Sequence, residues 1–509
     1  MNYLKKLLHN EKGISLPIVL LLFVPIVILA YSALNLSTAQ NSFISKYDSG
    51  VNALHYAEAG INHYLWSLNK TETSFPHLNR EVPFENGKYM VTVLEQGEGY
   101  VKIKSTGWTD KEPNIKRTIT AVLAKRNFTR YSYFSDNDPS EIRWVSSDIV
   151  YGPYHTNGDL VIDGNPTFYG RVTYSGRIHF YNGVWKGGAS DPDFNGPYPV
   201  NGSYPKFMKG IQWAAPLEFP LSNSQLKIRA QNGGYYYEGR TSIRLNPDGT
   251  VTIRNKTNPA ETKPLPSNGV IYIDGTTGNE NRKFNLNMGN AFVAGTLKGK
   301  LTIAAANDIY ITGRDPVNYT FNSASAVGTG GISGGGGITY AGTTFTEVRE
   351  NGVLTGYKAN GDDMLGLVAN NNILILCKGW FDNPDPDVRW SWGWHYDPQI
   401  DAAPDKANVY AAVFAINGSF GFEKLNNSSP YWLIYSGFFK DEYIKKDTIF
   451  LRGALIQKTR GEVGESIGTI HTGYRSKNYA YDDRMTFEAP PHFIEPSNQG
   501  WEIISWQES

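Results

Sequence analysis

The sequence predicts a mostly β protein in which a long N-terminal α-helix and a small antiparallel sheet precede a large parallel β-solenoid (β-helix). Three observations carry this. An apolar run of roughly twenty residues flows into a helical three-and-four periodicity; three period-two segments follow between 88 and 123; and from Phe128 short strands recur, broken by Gly and Asn. Composition agrees, since 509 residues with 52 Gly, 27 Pro, 13% aromatics and 19% charged residues suit short strands and many turns. Lys+Arg and Asp+Glu balance at 48 each, so net charge points neither to nucleic acid nor to a membrane surface and excludes a charged disordered tail. The single cysteine, Cys377, excludes a disulfide framework and a zinc cluster.

The first element begins after Lys5, Lys6, His9, Glu11, Lys12 and Gly13, where Ile14 opens an apolar run that lasts to about Leu36. A basic flank before such a run places the N-terminus on the inner side of a membrane. Beyond it Ile44, Tyr47, Val51, Leu54, Glu58, Ile61, Leu65 and Leu68 alternate at three and four, predicting one rod with a single apolar face interrupted at Glu58. Ala33 leaves a cleaved leader open as an alternative, and a signal anchor with a juxtamembrane helix is a second.

The next segments, 88–94, 100–107 and 115–123, alternate with Gly97–Glu98–Gly99 and Glu112–Pro113–Asn114 between them and predict a three-stranded meander. The texture from 128 onward, in 155–164, 269–275, 291–297, 299–305, 308–313, 364–375, 407–418 and 449–457, predicts coils whose apolar residues stack on those above and below. Long excursions interrupt it at 183–267, 324–342 and 378–406. A two-sheet sandwich is the alternative, though regular hairpins are missing.

Two resemblances follow from these residues. Glu11–Lys12–Gly13, the apolar stretch directly after it and Tyr56–Ala57–Glu58–Ala59–Gly60–Ile61 resemble the N-terminal region of type IV pilin-like proteins, specifically PilX-like minor pilins. The resemblance implies a leader over 1–13, cutting by prepilin peptidase after Gly13, N-methylation of Ile14, a pilin helix over 14–70 and a pilin head over 71–127. The fifth mature position, a glutamate in most major pilins, is Ile18 here, and Pro17 precedes it. Without a carboxylate to offset a buried amine the subunit pairs poorly inside a shaft, and likeness to minor pilins sharing this lack implies a place at the filament tip or in the priming complex. Ile18 and Glu58 are thus the subunit-packing candidates.

Gly152–Pro153–Tyr154–His155–Thr156–Asn157–Gly158, the stretch 295–313, and Gly473–Tyr474 through Tyr481–Asp482–Asp483–Arg484–Met485 with Pro490–Pro491 resemble the solenoid of ComZ-like minor pilins. This implies a solenoid over 128–475, a C-terminal extension over 476–509 that could return to the head sheet, and binding of extracellular DNA in natural transformation. Implied partners are other major and minor pilins, the peptidase and the cytoplasmic membrane before assembly, with a pilus-tip or cell-surface location afterwards.

Ligand candidates come from residue chemistry. Arg240, Arg244, Arg254 and Lys256 could meet phosphates while Tyr235, Tyr236 and Tyr237 stack on bases, or they form an ordinary solvated strand face. Trp390, Trp392 and Trp394 could stack on sugars or bases, or cover the solenoid's side. Asp382, Asp385 and Asp387 alternate as oxygen ligands for Ca²⁺ would, or form a proline-stiffened acidic loop; no other cofactor is expected. Gly331–Ile332–Ser333–Gly334–Gly335 matches a nucleophile elbow in letters but lacks the flanking strand and helix, and Gly299–Lys300 lacks the upstream glycine of a P-loop. No catalytic residue is assigned and no enzymatic activity is expected. The competing readings are a cell-surface adhesin or carbohydrate-binding protein, and an enzyme acting on acidic polysaccharide through Asp362–Asp363 or Asp482–Asp483–Arg484.

Overall fold

The computed structural model describes residues 15–70, 75–97, 99–181, 183–278, 283–313, 315–317, 336–376, 403–423, 445–467, 470–496 and 500–508. It is mostly β with one long N-terminal helix, and it divides into two compact units, Met1–Lys125 with Gly500–Ser509, and Arg126–Gln499.

In the first unit α1 spans Ser15–Asn69 with Pro25 inside it. The strands β1 (Glu81–Phe84), β2 (Gly87–Gln96), β3 (Tyr100–Thr109) and β4 (Lys116–Lys125) pair in sequence order, all antiparallel. The chain's last strand, Trp501–Glu508, adds antiparallel to β4. Asn69 at the helix end fixes it: Trp501 N donates to Asn69 Oδ1 at 2.7 Å and Asn69 Nδ2 donates to Trp501 O at 3.1 Å.

The buried stripe of α1 matches the one its large apolar residues predict only from Leu54 onward, where Ile61 is buried and Leu54, Leu65 and Leu68 pack against the same core. Ala53, Tyr56, Ala57, Gly60, Ile61 and Tyr64 face the sheet, whereas Ile44, Tyr47 and Val51 are 54%, 66% and 40% exposed. Close approach decides this. A Cβ on Gly107 would sit 2.2 Å from Ala53 O, and one on Gly60 would collide with Ser105 Oγ and Tyr89, so the contact selects small residues that a hydrophobic pattern does not mark.

The second unit is built on three stacks of parallel strands. In the first, register runs Ile271–Ile303–Leu367–Val413–Leu455 and continues through Tyr133–Tyr154–Val172–Ile211. In the second it runs Leu245–Gly295–Ile338–Val409–Leu451 and then Tyr479–Val150–Phe168–Phe207. The third runs Ile243–Val293–Ile311–Ile375–Phe422. A four-stranded sheet ordered Val184–Lys186, Ile178–Phe180, Leu160–Asp163, Trp144–Val145 is hydrogen-bonded separately from these stacks but shares their inward core through Trp144, Leu160, Ile162, Ile178 and Phe180.

The chain visits the stacks in one repeating order. Val270–Asp274 lies in the first, Ala291–Leu297 in the third and second, Lys300–Ala305 in the first, Ile309–Ile311 in the third, Gly337–Tyr340 in the second and Met364–Ala369 in the first again. It does not begin at an end. Tyr133–Asn137 pairs with Lys445–Thr459 in the middle, and the chain moves outward to Ile211–Trp213. Residues 214–231 then run back across the outside of the first stack, and winding restarts at Tyr235–Glu238 and closes inward until Ile470–Tyr481 meets Ile149–Tyr151.

Alternate residues of the stacks point inward to one core and outward to others. Outward Tyr272, Val368, Phe414, Ile456 and Phe134 are covered by Leu217 and Phe219 of the crossing segment, by Leu226 and Ala230 of α2 (Ser224–Gln231), and by Met485 and Phe493. Strands buried on both faces read as near-continuous apolar runs, which is the texture of 364–375 and 407–416. The excursion at 183–267 holds the crossing segment and the hairpin Thr241–Leu245 with Thr250–Asn255, and strand structure resumes at Gly337 inside the expected Gly-rich loop.

Candidate functional site

The N-terminal rod is the first candidate. From Leu16 to Tyr47 its described large apolar side chains are all exposed, and an 18-residue window reaches a mean hydropathy of 2.4 with none of it buried. It is the one described helix long and apolar enough to cross a membrane. Two of its hydroxyls turn back on the helix, Ser32 Oγ donating to Ile28 O and Thr38 Oγ1 to Leu34 O, both at 2.8 Å, which satisfies those groups within the rod. Withdrawing each exposed Leu, Ile or Phe from water is worth about 1.5–3 kcal/mol. Gly13 and Ile14 lie outside the described residues, and Ile18 falls within α1. Glu58 is half-exposed, with His55 Nδ1 3.3 Å from its carboxylate.

The Tyr/Arg candidates are divided by the strand period. Tyr236 points outward, stacks on Tyr272 with the rings 3° apart and donates to Asp274 Oδ2 at 2.5 Å. Tyr235 and Tyr237 point the other way and pack against the inward core, where Tyr235 Oη donates to Pro264 O. The three rings therefore do not share one face of the strand. Arg244 and Arg254 do share the outer face of their hairpin, because their partners across it are Thr252 and Ser242. Arg244 is engaged in the fold, pairing with Asp315 at 2.5 Å and bonding Asn246, while Arg254 is half-buried. Arg240 Nη1 donates to Phe284 O at 2.6 Å.

The two dense acidic candidates come together through Arg484, which donates to Gly361 O and Asp363 O. Their carboxylates accept backbone N–H groups, Asp363 from Gly299 and Gly342 and Asp483 from Ala359, so they hold a corner of the chain. Asp382, Asp385, Asp387, Trp390, Trp392, Trp394 and the Gly331–Gly335 motif lie outside the described residues.

Sequence reasoning missed two features. On the four-stranded sheet, His179 and Trp185 stack 4.0 Å apart at 2°, Arg143 lies 3.9 Å over Tyr181, and Arg177 lies 5.5 Å from Trp185. Trp185 and Tyr181 are 37% and 42% exposed, which makes a surface of flat rings beside cations. Arg177, His179, Tyr181 and Trp185 lie on one local hairpin, and Arg143 joins them from a distance along the chain. Inside, Arg460 and Asp138 are 3.8 Å apart and fully buried, with Arg460 against the Trp144 ring and Tyr154 Oη donating to Asp138 at 3.0 Å. Burial pushes the Asp138 carboxyl up, against the pull of Arg460 and the Tyr154 bond.

No family profile and no curated protein matches the chain. Among solved structures it is similar to the crystal structure of competence-associated pilin ComZ from Thermus thermophilus, at 12% identity and a TM-score of 0.26, over 91% of this chain and 98% of that one. A TM-score that low does not establish a shared fold.

Proposed function

We propose that the chain is a minor type IV pilin-like protein without enzymatic activity, anchored by α1 in the membrane before assembly and then carried at a filament tip by packing α1 against other pilins. The observation that carries this is the helix itself. From Leu16 to Tyr47 its described large apolar side chains are exposed, and farther along it is fitted to a small antiparallel sheet by Ala53, Ala57 and Gly60. An exposed apolar surface of that size is stable only in lipid or against other helices.

In this reading prepilin peptidase cuts after Gly13 and Ile14 is methylated, and the three stacks of the second unit wind as a parallel β-solenoid displayed outside the cell. Support for the solenoid is the constant order in which the chain visits the stacks. The displayed unit meets an extracellular ligand, DNA by the resemblance stated above. A carbohydrate ligand is the second reading, favoured by the exposed Trp185 and Tyr181 beside Arg143 and Arg177, whose rings suit sugar stacking.

Shearing filaments from intact cells tests the placement. The protein is expected in the sheared fraction at low stoichiometry and is expected to leave it in Gly13→Glu, which blocks cutting. Equal recovery in the cell-bound fraction of both would contradict a filament role. Binding of the whole protein to duplex DNA and to a glycan array separates the two ligand readings, with Trp185→Ala losing glycan binding only under the second.

A further inference from the structure

Several lysine–carboxylate contacts join parts of the second unit that are distant in sequence, Lys458–Asp136 and Lys477–Asp148 among them, and two others differ sharply in burial. Lys300 meets Glu488 with side chains 39% and 42% exposed, whereas Lys283 meets Glu423 with side chains 7% and 5% exposed. The buried pair sits against an aromatic cluster. Lys283 Nζ lies 4.9 Å from the Phe284 ring centre and 5.9 Å from that of Tyr310, and Phe292, Leu374 and Leu376 complete the apolar wall. An ion pair taken out of water in such a place costs several kcal/mol per ion. Return of the ammonium proton to the carboxylate removes both charges and leaves a neutral amine against a neutral acid. A neutral lysine amine is a nucleophile, and groups held in contact react as if at an effective concentration of about 10⁵ M or more.

We propose that Lys283 and Glu423 are joined by an intramolecular isopeptide bond. The Nζ lone pair attacks Glu423 Cδ, a C–N bond forms, an Nζ proton passes to the departing hydroxyl, the C–O bond breaks and one water leaves. Nothing is oxidised or reduced and no co-reactant is consumed. The position gives the bond a mechanical effect. Lys283 precedes Ala291–Leu297 and Glu423 follows Phe420–Phe422, and between those strands in the third stack lie Ile309–Ile311 and Ile373–Ile375. One amide thus clamps four stacked strands against separation. The Lys300–Glu488 pair is the natural contrast, because water solvates both of its charges and removes the drive to neutralise them. The inference stands on the second unit alone and does not depend on the filament reading.

Peptide mapping by mass spectrometry of the full chain, denatured and digested after extraction from its own membranes, tests this. The peptides bearing Lys283 and Glu423 are expected as one branched species, lighter than their summed mass by one water, and as two linear peptides in Lys283→Arg. Linear peptides in the unmodified protein overturn the proposal, and this readout does not require any variant to fold. A branched Lys300–Glu488 species would overturn the claim that burial selects the pair.

Discussion

His155 shows how one buried side chain ties stability to pH. It stacks on Phe134 with the rings 7° apart, bonds Thr173 Oγ1 at 2.8 Å through Nδ1 and Asn157 Oδ1 at 3.0 Å through Nε2. Burial lowers its pKa from 6.5 to about 4, with the Asn157 bond acting the other way. Above pH 6.5 both folded and unfolded chains carry it neutral, so it has no pH effect there. Between about pH 6.5 and 4 the unfolded chain binds the proton first, and stability of the second unit falls by up to about 3 kcal/mol. Denaturation of the wild type and His155→Gln across that window checks this; the variant is expected to have the shallower slope, and equal slopes would assign the acid sensitivity elsewhere. Arg460 is a different case. Arg460→Met strips the partner from the buried Asp138 and is expected to cost about 3–5 kcal/mol, read as a lower denaturation midpoint, whereas Arg349→Met, from an exposed pair with Glu347, is expected to move it by less than about 1 kcal/mol.

Small residues decide how elements meet. Gly107→Val pushes a side chain into the backbone of α1 at Ala53 and Ala57 and is expected to cost about 1–3 kcal/mol, read as a lower melting temperature of the first unit. Gly356→Ala, with open space around its Cβ, is the control expected to be silent. The crossing segment depends on Asn223, whose Nδ2 donates to Ala305 O and Val368 O while its Oδ1 accepts from Tyr272 Oη. Asn223→Leu leaves the buried Tyr272 hydroxyl without that acceptor, at a cost of about 1–3 kcal/mol. Faster proteolysis within 214–231 is the expected sign, and unchanged cleavage would show the segment to be held by its apolar contacts alone.

At this scale the sequence is legible where strand period and glycine punctuation coincide, as in Lys300–Ala305 and Met364–Ala369. It misleads in the first half of the amphipathic part of α1, where the large residues Ile44, Tyr47 and Val51 are conspicuous yet exposed, while the closest approach to the sheet is made by alanines and glycine beside Tyr56, Ile61 and Tyr64. The Tyr235–Tyr237 run does not share one face for a related reason, since a strand sends neighbours to opposite faces. The exposed aromatic surface at Tyr181 and Trp185 sits on a local hairpin whose Asn182–Gly183 is a turn signal in the sequence, but nothing there brings in Arg143.

For the whole molecule, the order of the stacks is beyond pattern reading because parallel partners are set by contacts distant along the chain. Nothing in the sequence near Tyr133 says that it lies beside Leu455, or that the chain begins its winding in the middle and returns along the outside. One consequence is that the second unit is entered at Arg126 and left at Gln499 with both adjoining strands belonging to central positions of the stacks. The return of Trp501–Glu508 to β4 makes the first unit depend on the far end of the sequence, so truncation before Gly500 is expected to expose the β4 edge and lower solubility.

The most direct test of the account is the N-terminal mass of the protein from membranes of cells with and without prepilin peptidase. A start at methylated Ile14 that disappears without the peptidase is the result predicted for a helix made to enter a pilus. A start at Met1 in both strains, or one beyond Ala33, would contradict it.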